Sequence, residues 1–404
     1  MATIPSIAMI PSGVKASKLY SVLPTDGTGD FTTTRASVAT RVNENGLIEE
    51  VAANVPRLDY SDGTCPSLLL EPSSTNLLVQ SQVFSGYGGS NQIVTDNSII
   101  SPDGTVTGAI LADSGLGGIA GVQVSESVTV DVSSTYTYSV FAKKKDIDFI
   151  ALRTSNFATV PSGQSYFDLN LGTTLGVAAG HTSKIENYGN GWYRCSITFT
   201  TDAVDTAGTI IARLSQDGTT STVDLDNTSN IYIWGFQFEK NSYATSYIKT
   251  IGTTQTRVAD TASGSGNSTV INSSEGTIYV EGSWLDSNLT SLTRIVNILG
   301  VDGAVQIRSG SATNRIQAVA TSGGVTQTLV TTAFDVTTNL KIALKYKLND
   351  FALWVNGTEI ATDLSGIAPV GLNELRIENH TKTKSVQLYT TALSDAELTT
   401  LTTI

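Results

Sequence analysis

The stretch that decides the fold lies at residues 231–260 and reads IYIWGFQFEKNSYATSYIKTIGTTQTRVAD. Its first nine residues alternate as in an extended strand, which predicts that four large aromatic side chains share one face of a sheet: Tyr232, Trp234, Phe236 and Phe238. An irregular connector rich in serine and threonine follows, and the composition then shifts to glycine, serine and asparagine. The stretch therefore indicates the last strand of a β-domain and the beginning of a linker.

The composition of the chain extends this interpretation to its whole length. With 404 residues, the chain exceeds the roughly 250–300 residues over which one hydrophobic core stops growing, so we expect two or three domains. A hydrophobic content of 40% with 15% charged residues is typical of a globular protein. The 36 glycines, together with abundant serine, threonine and valine, favour short strands joined by turns. We predict an all-β fold.

Turns and strand patterns divide the chain into four segments. Residues 1–79 are rich in turn residues and carry too little apolar patterning for a core of their own, so their apolar side chains must be buried against a neighbouring domain or subunit. Residues 80–261 hold eight strand patterns, which predict a two-sheet sandwich of the jelly-roll type. Residues 262–274 have the composition of a flexible linker, and residues 275–404 are predicted to form a second β-sandwich.

Two local signals are specific within the last segment. Asn356-Gly357 follows a strand pattern and predicts a type I′ turn, because both positions of that turn need a positive φ angle. Ser394 stands three residues before Glu397, which is the spacing of a capping box and predicts the beginning of a helix.

Several passages of this sequence resemble proteins of bacteriophage particles. The stretch 231–260 is similar to a WGxQxE…TSYIxT…TRxAD passage that closes a jelly-roll module in tail-fibre and related virion proteins. Residues 34–78 resemble a recurrent virion module through the passages TRASVATRVN, GLIE, PRLDYS, CPSLLLEP and TNLL. The GWYR passage at 191–194 resembles jelly rolls of the carbohydrate-binding-module type, and residues 341–357 resemble laminin-G and concanavalin-like sandwiches.

This resemblance implies a virion structural protein, a fibre or appendage subunit that binds host-surface glycans. Residues 1–79 would be a virion-attachment region, residues 80–261 a carbohydrate-binding-module-like jelly roll, and residues 275–404 a lectin-like sandwich. The implied partners are other virion proteins, further copies of the chain in a homotrimer, and host-surface polysaccharide, in a particle assembled in the host cytoplasm. Two alternatives stay open: a purely structural capsid or tail decoration protein without glycan binding, and a polysaccharide depolymerase.

The charge and the cysteines of the chain argue against several other classes of protein. A net charge of −12 and a pI near 4.6 disfavour nucleic-acid binding, which needs a clustered basic surface. The sequence shows neither the run of about 18 apolar residues that a membrane helix needs nor a signal peptide, so we predict no membrane insertion. Cys195 is predicted as a core residue and Cys65 as a loop residue, with a bridge between them left open.

Residues suited to catalysis or metal binding are few. His181 and His380 follow turn residues in different segments, and we interpret both as surface polar residues. Asp224 and Asp226 alternate on a strand-like run and would suit a calcium ion or a glycosidase, although hydrated loop carboxylates are the simpler interpretation. We therefore predict a protein without enzymatic activity and without a cofactor, with a structural calcium ion left open.

Glycan binding would need exposed aromatic rings beside polar groups, because the CH faces of sugars pack on aromatic faces. Three loop aromatics are candidates for such a platform: Tyr87, Phe157 and Tyr188. The competing interpretation is that each of them packs on its own domain. The tryptophans inside strand patterns are predicted to be core residues: Trp192, Trp234 and Trp354.

Overall fold

The computed structural model describes residues 3–157, 163–287, 292–323, 325–330 and 333–404. Within this part of the chain there are thirty-five β-strands and one helix, so the all-β prediction is confirmed. The described residues contain no helix that is long and apolar enough to cross a membrane.

The strands before residue 80 are two to four residues long: β1 (Ile7–Met9), β2 (Val14–Lys15), β3 (Lys18–Leu19), β4 (Phe31–Thr34), β5 (Ala39–Val42), β6 (Ile48–Val51), β7 (Arg57–Asp59), β8 (Ser67–Leu70) and β9 (Ser74–Asn76). The middle of the chain forms β10 (Gly88–Ser90), β11 (Gln92–Ile99), β12 (Gly108–Asp113), β13 (Ile119–Ala120), β14 (Gln123–Thr129), β15 (Thr135–Lys144), β16 (Phe149–Ser155), β17 (Gln164–Asp168), β18 (Thr173–Thr174), β19 (Thr182–Asn187), β20 (Trp192–Thr200), β21 (Ala207–Ser215), β22 (Val223–Asp224), β23 (Asn230–Glu239), β24 (Gln255–Arg257) and β25 (Thr261–Ser265). The rest forms β26 (Glu275–Trp284), β27 (Arg294–Leu299), β28 (Gly303–Ser309), β29 (Ile316–Ser322), β30 (Val325–Val330), β31 (Leu340–Lys347), β32 (Phe351–Val355), β33 (Thr358–Asp363), β34 (Glu374–Ile377), β35 (Thr381–Tyr389) and helix α1 (Asp395–Thr402).

The chain divides into two compact units. The central unit contains Asn45–Glu49 and Ser74–Arg257. The terminal unit contains Met1–Glu44, Glu50–Ser73 and Val258–Ile404, and so joins both ends of the chain in one body.

The central unit is a two-sheet sandwich with six strands in each sheet. One sheet has the order β10-β14-β21-β16-β17-β18 and the other the order β11-β12-β23-β15-β20-β19. The chain crosses repeatedly from one sheet to the other, as in a jelly roll, and all eight predicted strands of this segment are present. The hairpin of β11 and β12 was not predicted from the sequence, because β11 is mostly polar and partly exposed along its length.

A bulge at Gly235 divides the strand that opens residues 231–260. Ser139 of β15 faces Gln237 and Phe141 faces Trp234, so β23 holds one residue more than its partner over this interval. Gly235 has a φ angle of +65°, which glycine adopts without strain. Trp234 therefore packs in a side cluster with Phe141, whereas Phe236 enters the main core. The prediction that the four aromatic residues share one face was wrong, since the bulge reverses the alternation.

The terminal unit is also built from two antiparallel sheets. The first has the order β33-β32-β31-β26-β35-β8-β7, with β1 also paired to β35. The second has the order β2-β3-β4-β25-β34-β27-β28-β29-β30. Phe31 and Leu68 from the first part of the chain share one core with Trp284 and Leu388, so the predicted burial against a neighbouring domain is confirmed. Strands β1 to β4, β7 and β8 thus belong to this sandwich, whereas Asn45–Glu49 belongs to the central unit. The early segment is therefore not the separate structural region that was predicted.

The composition of residues 262–274 was also misleading. Residues 261–265 form β25, which pairs with β4 on one side and β34 on the other. Ala262 and Ile271 are buried in the core of the terminal unit. The small polar residues at the beginning of this segment form a central strand between two neighbouring strands. The predicted flexible linker is therefore wrong.

The two local signals of the last segment are confirmed. Asn356 and Gly357 have φ angles of 49° and 83° and join β32 to β33. The backbone N–H of Ser394 donates to Glu397 Oε2 at 2.9 Å at the beginning of α1, as a capping box requires.

Candidate functional site

Two of the three predicted aromatic platforms lie in the core of the central unit. Tyr87 packs against Phe236, with ring centroids 5.3 Å apart, and its hydroxyl donates to the carbonyl of Gln80. Phe157 packs edge-on against Phe199 at 5.2 Å. Both side chains are more than nine-tenths buried, so neither can offer an exposed face to a sugar. These two assignments are corrected, because both rings pack in the hydrophobic core of the central unit.

Tyr188, the third candidate, is only partly buried. Its ring stands edge-on to Phe141, with centroids 4.8 Å apart, beside the turn between β19 and β20. The predicted core tryptophans are confirmed, since Trp192, Trp234 and Trp354 are all buried.

His181 is not the surface residue that was expected. Its ring nitrogens lie 2.9 Å from Thr154 Oγ1 and 3.0 Å from Ser165 Oγ, and the residue is only 9% exposed. Burial lowers the pKa of His181 to about 4, which keeps the ring neutral near pH 7. His380 lies in a turn as predicted, with Nδ1 2.9 Å from Asn379 Oδ1.

The carboxylates and cysteines follow the simpler interpretations. Asp226 accepts hydrogen bonds from the backbone N–H and the hydroxyl of Thr228, and Asp224 is exposed on β22. In the described ranges, no three His, Cys, Asp or Glu side chains are grouped so that they could hold a metal ion. Cys65 is exposed and Cys195 is buried, and both are free thiols.

Buried polar networks account for the residues of the TSY and WGxQxE passages. Glu239 is fully buried and accepts hydrogen bonds from Gln237 Nε2 at 2.6 Å and from the Thr245 backbone N–H at 2.9 Å. Arg194 of the GWYR passage donates from Nη1 to the Thr245 carbonyl at 2.6 Å. These bonds fold the connector after β23 back onto its own unit, so the passages serve packing.

A second network accounts for the arginine and aspartate passages of the terminal unit. Asp260 accepts from Arg35 Nη1 at 2.9 Å and from the guanidinium of Arg57. Arg57 also donates to Glu71 Oε2 at 2.6 Å. Burial lowers the pKa of Arg57, but the charges of Glu71 and Asp260 outweigh it and raise the pKa overall. These four charged residues thus stabilise the fold, and their burial leaves no surface for contact with a ligand.

The outer face of the sheet around β16 carries a different set of residues. Ile150 and Leu152 point into the core, so Ala151 and Arg153 lie on the opposite face of β16. Arg213 projects from the same face of β21. We call this surface the arginine face and define it by five residues: Gln123, Arg153, Gln164, Tyr166 and Arg213.

Strand register brings these five residues together. Across four neighbouring strands, Gln123 lies opposite Arg213, Arg213 opposite Ala151, and Ala151 opposite Tyr166. Arg153 lies opposite Gln164 in the next row of the same face. The small side chain of Ala151 leaves room for the long side chains on either side of it.

Hydrogen bonds hold part of the arginine face in place. Arg213 Nε donates to Gln123 Oε1 at 2.8 Å, and Arg213 Nη1 donates to Ser221 Oγ at 3.2 Å. Gln164 Nε2 donates to the Tyr166 hydroxyl at 2.6 Å. Neutral groups therefore fix the orientation of the Arg213 guanidinium, but they do not balance its positive charge.

The electrostatics of the arginine face favour an anion. Burial lowers the pKa of Arg213, and the like charge of Arg153 lowers it further. Among the described residues, no carboxylate lies within 4.0 Å of either guanidinium, although the chain as a whole is strongly acidic. Two arginines and two amides could donate hydrogen bonds to a carboxylate, whereas the buried ring of Tyr166 offers no exposed face to a sugar.

The arginine face was not predicted from the sequence. Its residues occupy outward positions of ordinary strand patterns, and β14 and β21, which pair in the sheet, are far apart in the chain. β16 and β21 each carry one arginine at an outward position, and a single charge in a strand pattern does not indicate a binding face.

Comparison with known proteins gives no family for this chain. No protein-family model matches it, and no curated protein matches it. Solved structures with similar strand arrangements include the CBM40 of the Ruminococcus gnavus IT-sialidase bound to α2,3-sialyllactose, at 20% identity and a TM-score of 0.30, over 34% of this chain and 86% of that one. The Caenorhabditis elegans galectin LEC-6 is similar at 15% identity and a TM-score of 0.24, over 29% of this chain and 83% of that one.

A longer but weaker likeness exists to the Trypanosoma rangeli sialidase. It has 9% identity and a TM-score of 0.29, over 92% of this chain and 77% of that one.

Proposed function

We propose that this protein is a carbohydrate-binding structural subunit of a phage particle, a fibre or appendage protein whose central unit binds acidic host-surface glycans on the arginine face. The observation that carries the glycan part of the proposal is the pair Arg153 and Arg213, which share one outer sheet face without a nearby described carboxylate. Neutral amides and Tyr166 surround the pair. Such a surface offers a sugar acid both charge and hydrogen-bond donors.

Isothermal titration with the 404-residue protein tests the glycan-binding proposal. The probes are oligogalacturonic acid, which carries carboxylates, and maltohexaose as a neutral oligosaccharide of similar size. We expect the acid to bind, and we expect Arg153→Gln with Arg213→Gln to weaken that binding at this face about tenfold or more, because charge-assisted hydrogen bonds are lost.

A matched control removes a positive charge from the other sheet of the same unit. Lys184 lies on β19 and pairs with Glu186 at 2.8 Å. Lys184→Gln should leave binding of oligogalacturonic acid unchanged. If this control weakens binding as much as the arginine variants do, net charge rather than the arginine face governs the interaction.

The virion part of the proposal is supported by the resemblance of residues 34–78 and 231–260 to phage particle proteins. It predicts that a labelled antibody against this protein decorates particles in electron micrographs. The homotrimer part predicts a mass of three times 42.5 kDa by light scattering. A monomer that is absent from particles would contradict both the virion part and the homotrimer part. The proposal of glycan binding would then remain without them.

We also propose that the protein acts by binding, without cleaving its glycan. The measurement is release of reducing sugar from a bound acidic polysaccharide over long incubation. Sustained release that persists after repurification would favour the depolymerase alternative and would contradict this proposal. Absence of binding to every polysaccharide tested, in a protein that decorates particles, would favour the purely structural alternative.

A further inference from the structure

We propose that the terminal unit carries a second anion-binding face for acidic saccharides, on the outer side of β27, β28 and β29. Five residues define this second arginine face: Arg294, Asn297, Gln306, Arg308 and Gln317. Four observations support it: the direction of the side chains, a like-charge pair, unpartnered buried polar atoms, and a set of amides in register.

The side-chain directions follow from the core of the terminal unit. Val296 and Ile298 lie in that core, so Asn297 between them points to the outer face of β27. Ile307 also lies in the core, which places Arg308 and Gln306 on the outer face of β28. Register brings Asn297 opposite Gln306 and Arg308 opposite Gln317.

Arg294 and Arg308 face each other directly across β27 and β28. Like charges at directly opposed positions of antiparallel strands are destabilising. Burial and the charge of Arg294 both lower the pKa of Arg308. Within the described chain, neither guanidinium has a carboxylate within ion-pair distance, and Arg308 is held only by Gln317 Oε1, which accepts from Nε at 3.0 Å. In the absence of an anion, the pair does not stabilise the fold.

Two polar atoms of the same face are buried without a described partner. Arg294 Nε is an unused donor, and Asn297 Oδ1 is an unused acceptor in a residue that is only 3% exposed. Leaving a buried polar atom unpaired costs about 1–3 kcal/mol, so such atoms call for an explanation. A ligand with an acid group for the guanidiniums and a hydroxyl for the amide would meet both needs.

These features identify the ligand class as a hydroxylated organic anion, and we infer an acidic saccharide. Inorganic anions carry no hydroxyl-bearing ring to engage the amides of Asn297, Gln306 and Gln317. A neutral saccharide would leave the opposed guanidiniums unbalanced. Carboxylated and sulfated saccharides share the required chemistry, and the titration below separates them.

The inference adds a second site to the proposed function and does not depend on the central arginine face. The 404-residue protein is titrated with oligogalacturonic acid, with a sulfated dextran oligosaccharide and with maltohexaose. Wild type should bind one or both acids at two sites per chain. Arg294→Gln with Arg308→Gln should weaken binding at one site about tenfold or more, and Arg153→Gln with Arg213→Gln should do the same at the other, so that failure of either proposal is seen separately.

Thermal melting of the same variants distinguishes an arginine pair that binds a ligand from a pair that only stabilises the fold. Without ligand, Arg308→Gln should melt at the same temperature as wild type or higher, because it removes the repulsion from Arg294. Asn297→Leu should also preserve or raise the melting temperature while weakening the second site about tenfold. Lys384→Gln, on β35 of the other sheet, is the control and should change neither quantity.

Three outcomes would overturn the inference. In the first, the Arg294 and Arg308 variants keep two acid sites per chain. In the second, they lose stability together with binding. In the third, maltohexaose binds as tightly as the acids and its binding is lost in the same variants, which would show that charge plays no part.

Discussion

At the scale of single residues, this chain separates charges that hold the fold from charges that face outward. Asp260 binds two arginines and is buried, whereas Arg153, Arg213, Arg294 and Arg308 sit on outer sheet faces without a described carboxylate partner. The difference matters because a guanidinium that is paired with buried carboxylates has no charge or N–H donor left for a ligand. A guanidinium without such a partner can still bind an anion.

Removal of the Asp260 carboxylate should destabilise the terminal unit strongly. Asp260→Ala leaves Arg35 and Arg57 buried with a missing partner, and breaking a buried pair in this way costs about 3–5 kcal/mol. Denaturant unfolding measures the loss. Glu359→Gln, an exposed carboxylate on β33 of the same unit, is the control and should have little effect. A loss of equal size in both variants would contradict the role of the network.

His181 should make the central unit sensitive to acid. The pKa of the buried ring is about 4, below the unfolded value of 6.5, so the unfolded chain binds the proton more readily. The stability due to the neutral ring is present above pH 6.5 and is lost as the pH falls towards 4. Melting temperatures recorded over this range should fall less steeply for His181→Asn than for wild type, and His380→Asn should follow the wild-type curve.

At the scale of elements, one glycine decides which face each half of β23 presents. A Cβ at position 235 would lie 2.8 Å from Phe141 Cδ2, at a φ angle of +65°. Gly235→Ala should therefore cost about 2–5 kcal/mol from backbone strain and overpacking together.

Gly189 provides the matched control for this substitution. It lies in the turn before β20 with a φ angle of +76°, and a Cβ there would meet nothing within 4 Å. Gly189→Ala should cost only the strain, about 1–2 kcal/mol. Unfolding of the two variants in denaturant compares them directly, and equal costs would show that the contact with Phe141 plays no part.

The pairing of β25 predicts the result of limited proteolysis. Because this strand is central in its sheet and Ile271 is buried, brief digestion of the native protein should give no cleavage within residues 262–274. Mass spectrometry of the fragments tests this expectation. Early release of a stable fragment that begins near residue 275 would restore the linker predicted from composition.

At the scale of the whole molecule, both ends of the chain build one sandwich. Deletion of residues 1–73 removes β1, β7 and β8 from one sheet and β2, β3 and β4 from the other. The remaining part of the terminal unit should then expose apolar surface and bind a hydrophobic dye. Deletion of residues 1–5, which precede β1, is the control and should leave dye binding unchanged. A full deletion that stays folded would show that the early strands are dispensable.

Much of this architecture could be predicted from the sequence because its signals are local. Alternation over five to ten residues marked all eight strands that were predicted for the central unit, and the Asn356-Gly357 turn and the Ser394 capping box needed only neighbouring residues. The early segment was correctly expected to be buried elsewhere, because its patterning is too sparse for a core. These features depend on the period and chemistry of short stretches of chain.

Only the tertiary structure decided which residues meet across distant strands. The Gly235 bulge reversed a face that simple alternation had assigned, and core packing took Tyr87 and Phe157 away from solvent. Both arginine faces are products of register: the central face joins β14 and β16 to β21, which is distant from them in the chain, and the second face joins the consecutive strands β27, β28 and β29. The sequence by itself determined the strands and their turns; strand pairing determined the surfaces available to a ligand, because a local pattern fixes neither the partner of a strand nor the register in which the two strands pair.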